Sequence, residues 1–328
     1  MRMRTIYRAV SSRLLSGIIS GLRWLPRSLA LAGGEQLGRL FFRVARTEKY
    51  GSSDRDLNLS DNKGRRFIDL SLRRSLADLQ HAFPDASEEE RIEIVRRSYR
   101  NAGRSLVEIM RLQYLGRDEL FSRIDADSFE PLERVFARGR GALILTSHLG
   151  AWELLASYMV HRLDRPFNAI VHRQRFEPYN QLLHSLRDKG AGARILYQDL
   201  GGRPILQALR DNQPVGVLGD LDMPKLKGVF VDFFGRPTYT PVGPAALARA
   251  SGAGMVPIII HWNRGGDGGG APRHRLRVLP EVELVRTGDR HADIRENTQR
   301  WSRVIEGVVR ENPEQWVWYH DRWRTRPM

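Results

Sequence analysis

The chain has 328 residues, 41% of them hydrophobic and 28% charged, enough to bury a sizeable core and too apolar to remain disordered. It contains no cysteine, which excludes disulfides, thiolate metal sites and a cysteine nucleophile. Fifty-three Lys and Arg against 38 Asp and Glu leave a formal charge of +15, which predicts attraction to nucleic acid, anionic lipid headgroups or an acidic protein.

Residues 1–49 carry ten basic side chains against two acidic ones, Glu35 and Glu48, so this lead holds +8, about half of the total. Leu14, Leu15, Ile18, Ile19, Leu22, Trp24 and Leu25 lie among those charges at helical spacing. Basic and apolar residues mixed in this way predict a helical segment lying on an anionic membrane surface. The uncharged run Leu14–Leu22 is nine residues long, where a membrane span needs roughly 20. A signal peptide is a second reading, since Ala30-Leu31-Ala32 mimics a cleavage site, but Arg23, Pro26 and Arg27 intervene. A plain core helix is the third. Residues 50–66 are polar and turn-rich and predict a loop, and residues 67–328 read as one continuous domain.

Ser87 followed by Glu90 is a capping box that opens a helix with Ile92, Val95, Tyr99, Ala102, Leu106 and Ile109 on one face, predicted to pack on the core. Beyond residue 140, short apolar runs (ALILTS, FNAIV, ARILY, VGVLGD, VFVDFF, MVPIIIHW) read as buried strands. Helical segments near 151–163, 178–189, 203–211 and 241–251 separate them, and a last helix over 289–311 turns Ile294, Trp301, Val304, Ile305 and Val308 inward. This alternation predicts an α/β fold, a mixed central sheet flanked by helices. The glycine run 265–270 lacks the Lys-Ser/Thr ending of a phosphate loop and predicts a flexible hairpin.

The chemical centre falls in GALILTSHLGAWELL. A strand ends at His148, Gly150 permits a tight turn and a helix starts near Ala151, so His148 sits where a sheet edge meets a helix N-terminus. Glu153 is five residues on. On one continuous helix the two would point about 140° apart, given a step of ~100° per residue, so they meet only if His148 precedes the helix and Glu153 lies in its first turn. A carboxylate beside an imidazole fixes its tautomer, and the imidazole can then take the proton of a substrate hydroxyl. Arg173, with His172 and Arg175 nearby, reads either as an anion-binding cluster or as a solvated basic patch. Asp220 and Asp222 read as a loop cap or a substrate hydrogen bond, with a magnesium site as a weaker alternative. Trp316, Trp318, His320 and Trp323 form either a core strand closing the sheet or an aromatic belt at a membrane interface.

The ordered series LQHAFP at 79–84, EEERIEIVRRSYRNAGRSLVEIMRL at 88–112, GALILTSHLGAWELL at 141–155, VHRQR at 171–175, VGVLGDLD at 215–222, GVFVDFFGRPTYTPVGPAALA at 228–248 and PEQWVWYHDRWRTRP at 313–327 resembles the late acyltransferases of lipid A biosynthesis. These lauroyl- and myristoyltransferases fall within the lysophospholipid acyltransferase-like superfamily, whose motif is H-x-x-x-x-D/E. The resemblance spans about residues 70–328. It implies an O-acyltransferase of glycerolphosphate/lysophospholipid acyltransferase-like fold, moving a fatty acyl group from acyl carrier protein or a CoA thioester to a hydroxyl of a lipid A precursor or related glycolipid. It implies His148 as general base with Glu153 as its charge partner, Arg173, Asp220, Asp222, Gly235 and Arg236 on the substrate side, no metal or cofactor, and the cytoplasmic face of a bacterial inner membrane. A phosphatidylinositol mannoside is the alternative acceptor. A nucleic-acid-binding protein is the reading from a different class. It expects basic residues interleaved with exposed aromatics on the sheet, whereas here the basic residues concentrate in an apolar lead.

Overall fold

A computed structural model describes residues 17–46, 63–173, 177, 180–181, 184–185, 192–263 and 273–327. Most of the segment expected to be a loop at 50–66, the glycine run 265–270 and most of the helix expected at 178–189 lie outside the described residues.

Among the described residues, a helical turn at 17–22 precedes the helices α1 (Arg27–Arg46), α2 (Lys63–Ala82) and α3 (Glu88–Arg111). The capping box that starts α3 is formed on both sides, Ser87 Oγ accepting from the Glu90 N–H and Glu90 accepting from the Ser87 N–H. Helix α1 crosses α3 with backbones nearly touching: a Cβ on Gly38 would clash with the carbonyl oxygen of Tyr99, and one on Gly103 with that of Gly34. Only glycines let these two helices pack at that distance.

After α4 (Arg117–Ser122), β1 (Ile124–Ala126) and α5 (Glu130–Ala137), the central strands follow: β2 (Ala142–Thr146), α6 (Trp152–Arg162), β3 (Asn168–Val171), β4 (Arg194–Tyr197), α7 (Arg203–Arg210) and β5 (Pro214–Leu218). The hairpin β6 (Gly228–Phe233) and β7 (Arg236–Pro241), α8 (Gly243–Ser251), β8 (Gly254–Trp262), β9 (His274–Val278) and α9 (Arg290–Glu311) complete the chain. The sheet order is β1-β9-β8-β2-β5-β3-β4. Strands β8, β2, β5, β3 and β4 run parallel, whereas β9 lies antiparallel to β8 and β1 parallel to β9.

The mixed α/β sheet expected from the sequence is therefore present, with two differences. The run VFVDFF does not enter it: β6 pairs with β7 alone in a separate two-stranded sheet. Strand β1, at one edge, was not read from the sequence because it has only three residues, and β9, expected only as the second arm of the hairpin around the glycine run, alternates apolar with charged residues (HRLRV) and pairs with both β1 and β8. The strands flanking the glycine run pair antiparallel up to Trp262 and His274.

Each face of the sheet carries a core. Leu143, Leu145, Val215, Val217, Met255 and Ile259 face α9, through Trp301 and Ile305, and also α2 and α7. Ala142, Ile144, Val256, Ile258 and Ile260 face α5 and α6. The period-two alternation of a strand buried on both faces accounts for this division. Residues of α1 enter both cores, Phe42 and Ala45 on one side and Ala30 and Leu31 on the other.

Candidate active site

Strands β2 and β5 pair in a register that sets Ala142 beside Pro214 and Thr146 beside Leu218, a constant offset of 72 residues. Two residues past the end of each strand the same offset brings His148 to Asp220. Nδ1 of His148 lies 2.8 Å from Asp220 Oδ1. The His148 backbone N–H donates to Asp220 Oδ2 at 2.8 Å, and Trp316 Nε1–H donates to the same oxygen at 2.9 Å. Asp220 is 1% exposed. Burial is the largest influence on its acidity and pushes it up, but the charge and hydrogen bonds of His148 and the bond from Trp316 together outweigh it and hold the carboxyl below its ordinary range.

An ionised Asp220 accepting from Nδ1 leaves the lone pair of the imidazole on Nε2. The His148 side chain keeps 24% of its surface while its partner keeps none, so the base is reachable and its support is sealed. Asp220 is thus the carboxylate bonded at Nδ1, whereas sequence reasoning named Glu153 as the charge partner of His148. Glu153 lies in the first turn of α6, where that reasoning put it, half-buried in the wall of a cavity described below.

The loop between β2 and α6 is pinned from three directions. Gly150 has φ +62°, and a Cβ there would meet the carbonyl oxygen of Ile260 at 2.6 Å. Its N–H donates to the Gln315 carbonyl at 3.1 Å, and its carbonyl accepts from Ser105 Oγ at 2.8 Å. Leu149 bridges Trp316. Gln315 itself is stitched to Trp262, accepting from its N–H at 2.7 Å and donating to its carbonyl at 3.0 Å. The positive end of the α6 dipole faces this loop and favours negative charge there.

The C-terminal tryptophans are buried, Trp316 and Trp318 at 1% and Trp323 at 2%. They form no strand of the sheet. The segment wraps the site and supplies Trp316 to Asp220. It also supplies Arg322, which is fully buried, donates to the Tyr239 carbonyl and to Thr240 Oγ1, and faces Asp220 and Asp222. Burial pulls the Arg322 guanidinium down to about 10 against those two carboxylates. Asp222 accepts from the Thr325 N–H at 2.6 Å and from Thr325 Oγ1 at 2.9 Å, so it anchors this segment. Sequence reasoning singled out Asp220, but it read Trp316 only as part of a core strand or a membrane-interface belt and did not consider Arg322. Their aromatic and basic types were visible, but their convergence on one carboxylate was not.

Arg173 lies on the C-terminal edge of β3, the sheet edge that carries His148. Its Nε donates to Asp199 Oδ2 at 2.9 Å, and its guanidinium stacks 4.0 Å above the Tyr197 ring. Gly235 and Arg236 sit at the β6–β7 turn. Phe234 and Gly235 have φ of 57° and 73°, Asp232 accepts from the Gly235 N–H at 2.9 Å, and Arg236 lies 5.9 Å from the Trp323 ring. Neither lines the two cavities that meet at the centre.

The first of these is narrow and apolar, about 60 Å³. It lies between α6 and the sheet, lined by Ile144, Thr146, Ala169, Gly216 and Leu218 with Trp152 and Glu153 at the helix. The second, about 400 Å³, lies between α1 and α3 and ends on Trp152 and Tyr319. Trp152 is common to both and packs edge-on against His148 with ring centres 5.2 Å apart.

Comparison with known proteins follows the same lines. The family model for bacterial lipid A biosynthesis acyltransferases matches residues 62–325. Similar curated proteins include a phosphatidylinositol mannoside acyltransferase of Mycolicibacterium smegmatis, 27% identical over 70% of this chain and 72% of its own length. They also include a lipid A biosynthesis palmitoleoyltransferase of Escherichia coli, 28% identical over 79% of this chain and 81% of its own. A lipid A biosynthesis lauroyltransferase of Escherichia coli is 28% identical over 76% and 78%.

Proposed function

The chain belongs to the bacterial lipid A biosynthesis acyltransferase family, and from that premise we propose that it transfers a fatty acyl group from a thioester to a glycolipid hydroxyl with His148 as general base. The observation that carries the mechanism is the contact of His148 Nδ1 with a buried, ionised Asp220. Nε2 takes the proton of the acceptor hydroxyl as its oxygen attacks the thioester carbonyl. The carbon–sulfur bond breaks, and the departing thiolate recovers the proton from the imidazolium. Asp220 offsets the positive charge that the ring carries between these steps, and the α6 N-terminus favours the oxyanion. The substrate alcohol is the nucleophile, so the chain supplies none of its own.

The narrow cavity under α6 borders the thioester end of the donor's acyl chain, and Glu153 in its wall acts on the donor side of the reaction. Arg173 serves the anionic end of an acyl carrier protein or CoA thioester. Helix α1 docks on anionic lipid at the cytoplasmic face of the inner membrane. It buries Ala30, Leu31, Phe42 and Ala45 on one side and turns Leu29, Leu37, Leu40 and Phe41 outward on the other, and a helix apolar on both sides calls for a second apolar partner. No described helix is long and apolar enough to cross a membrane. A lipid A precursor is the acceptor. A phosphatidylinositol mannoside is the second reading, favoured by the mycobacterial relative.

The test is transfer of a radiolabelled acyl group by the purified enzyme to lipid extracts. His148→Ala is expected to abolish it with unfolding temperature unchanged. A His148→Ala enzyme that still transfers at the parent rate would refute the mechanism.

A further inference from the structure

The predicted apolar face of α3 is only half covered. Val95 is fully buried, but Leu106 is 42% exposed, and Ala102, Leu106 and Ile109 form one wall of the 400 Å³ cavity. Leu37, Gly38 and Phe41 of α1 form the other wall. The glycine crossing holds the two helices together beside the cavity, since Gly38 and Gly103 belong to both features. The lining is almost wholly apolar, and its inner end is Trp152, whose ring packs on His148.

The mouth of this cavity is not a random surface. Leu37, Phe41 and Leu106 are at once its lining and part of the exposed apolar set that includes Leu29, Leu40, Trp24 and Leu25. Arg23 lies against Trp24 and Tyr114, and Arg43 is exposed on α1. An apolar patch with guanidinium groups at its margin matches a bilayer with anionic headgroups. A cavity opening there receives hydrocarbon from the membrane, not from water.

We infer that this cavity between α1 and α3 binds a hydrocarbon chain of the glycolipid acceptor, drawn from the bilayer, and so delivers the acceptor hydroxyl to His148. The inference rests on the acyl-transfer reading above and adds a second, separate lipid site to it. Donor and acceptor then approach the base from opposite sides of Trp152, the thioester end of the donor beside the cavity under α6 and the acceptor chain between α1 and α3. Trp152 keeps the two approaches apart while its ring holds the imidazole.

The experiment fills the cavity without touching the catalytic groups. Ala102→Phe adds an aromatic ring to the wall, and steady-state transfer is measured against glycolipid acceptor in mixed micelles and, separately, against acyl-CoA. The expected result is a KM for acceptor raised about tenfold or more, with the KM for acyl-CoA within about twofold of the parent, a loss of at least one pocket-filling side chain's worth of binding. Leu106→Trp, at the solvent-open mouth, repeats the measurement where Ala102→Phe lowers the unfolding temperature. An unchanged acceptor KM in a folded variant overturns the inference, as does an acyl-CoA KM that rises as much or more. A parent enzyme that acylates no glycolipid at all would instead overturn the acyl-transfer reading, which keeps the two failures distinct.

Discussion

The carboxylate at Nδ1 of His148 is that of Asp220, while Glu153 lies in the first turn of α6. The motif spacing draws attention to Glu153 because both residues fall in one short segment. Asp220, 72 residues away, becomes the partner at Nδ1 only through the parallel register of β2 and β5. That register is a property of the sheet, and no local pattern encodes it, so the sequence exposed both members of the pair without showing that they touch. Trp316 was harder still, since its indole reaches Asp220 from the far end of the chain. Asp220→Asn is expected to lower kcat by ~10²–10⁴-fold, with the KM values for donor and acceptor little changed, because the variant loses the ionised oxygen that fixes the tautomer and offsets the imidazolium. Stopped-flow transfer at saturating substrate reads kcat directly, and a loss confined to KM would argue that Asp220 serves binding instead. Trp316→Phe keeps an aromatic side chain and removes the indole N–H bond to the carboxylate, and a smaller loss in kcat, about tenfold, is expected from a single donor.

At the scale of elements, α1 is tied to the domain by more than its glycines. Arg27 pairs with Glu108 of α3, which is 2% exposed, and His274 of β9 lies 3.5 Å from the same carboxylate. Burial pushes Glu108 up, but His274 and Arg27 together overcome it and hold the carboxyl at about 2. Stability from this group is therefore present above the unfolded value near pH 4.5 and is lost as pH falls through about 2. Glu108→Gln leaves a buried guanidinium without its counter-charge and is expected to cost about 3 kcal/mol in urea unfolding at neutral pH. A variant as stable as the parent would show that the pair is energetically neutral. The outward face of the same helix has a different test. Leu29 and Leu40 are 61% and 56% exposed, so Leu29→Ser with Leu40→Ser removes nothing from the core. Sedimentation with phosphatidylglycerol vesicles is expected to show binding reduced about tenfold or more, from lost apolar burial. Equal sedimentation of variant and parent would leave α1 without a membrane role. The helix pattern was legible in the sequence as basic and apolar. Its two apolar sides were not, because Ala30 and Leu31 become inward-facing only once α3 is in place.

Over the whole molecule, the C-terminal segment closes what the sheet begins. It crosses from α9 to the active-site loop, then to the β6–β7 hairpin through Arg322, and runs back beside α2. Strands β2, β5 and β8 were readable because each is a short apolar run buried on both faces. This wrap was not, because its tryptophans look the same whether they pack as a strand or as a cap. Where it meets α2, Asp78 is 9% exposed. Burial, with Asp321 adding its own charge, raises the Asp78 carboxyl to about 7 against the opposing pull of Arg326 and Arg74. The folded chain therefore holds a proton that the unfolded chain releases near pH 3.8. Folding binds more protons than unfolding across this window, so the contribution of Asp78 is fully present below pH 3.8 and is lost as pH rises toward 7. A shift of this size corresponds to stability on the order of 4 kcal/mol between the two ends. Asp78→Asn removes the titration while keeping the shape of the side chain. Urea unfolding measured at intervals from pH 4.5 to 8 is expected to give a stability that falls with pH in the parent and a flatter profile in the variant, with the variant the more stable at pH 8. Parallel profiles would mean that Asp78 ionises freely in the folded protein, and that the junction between α2 and the C-terminal segment carries no buried proton.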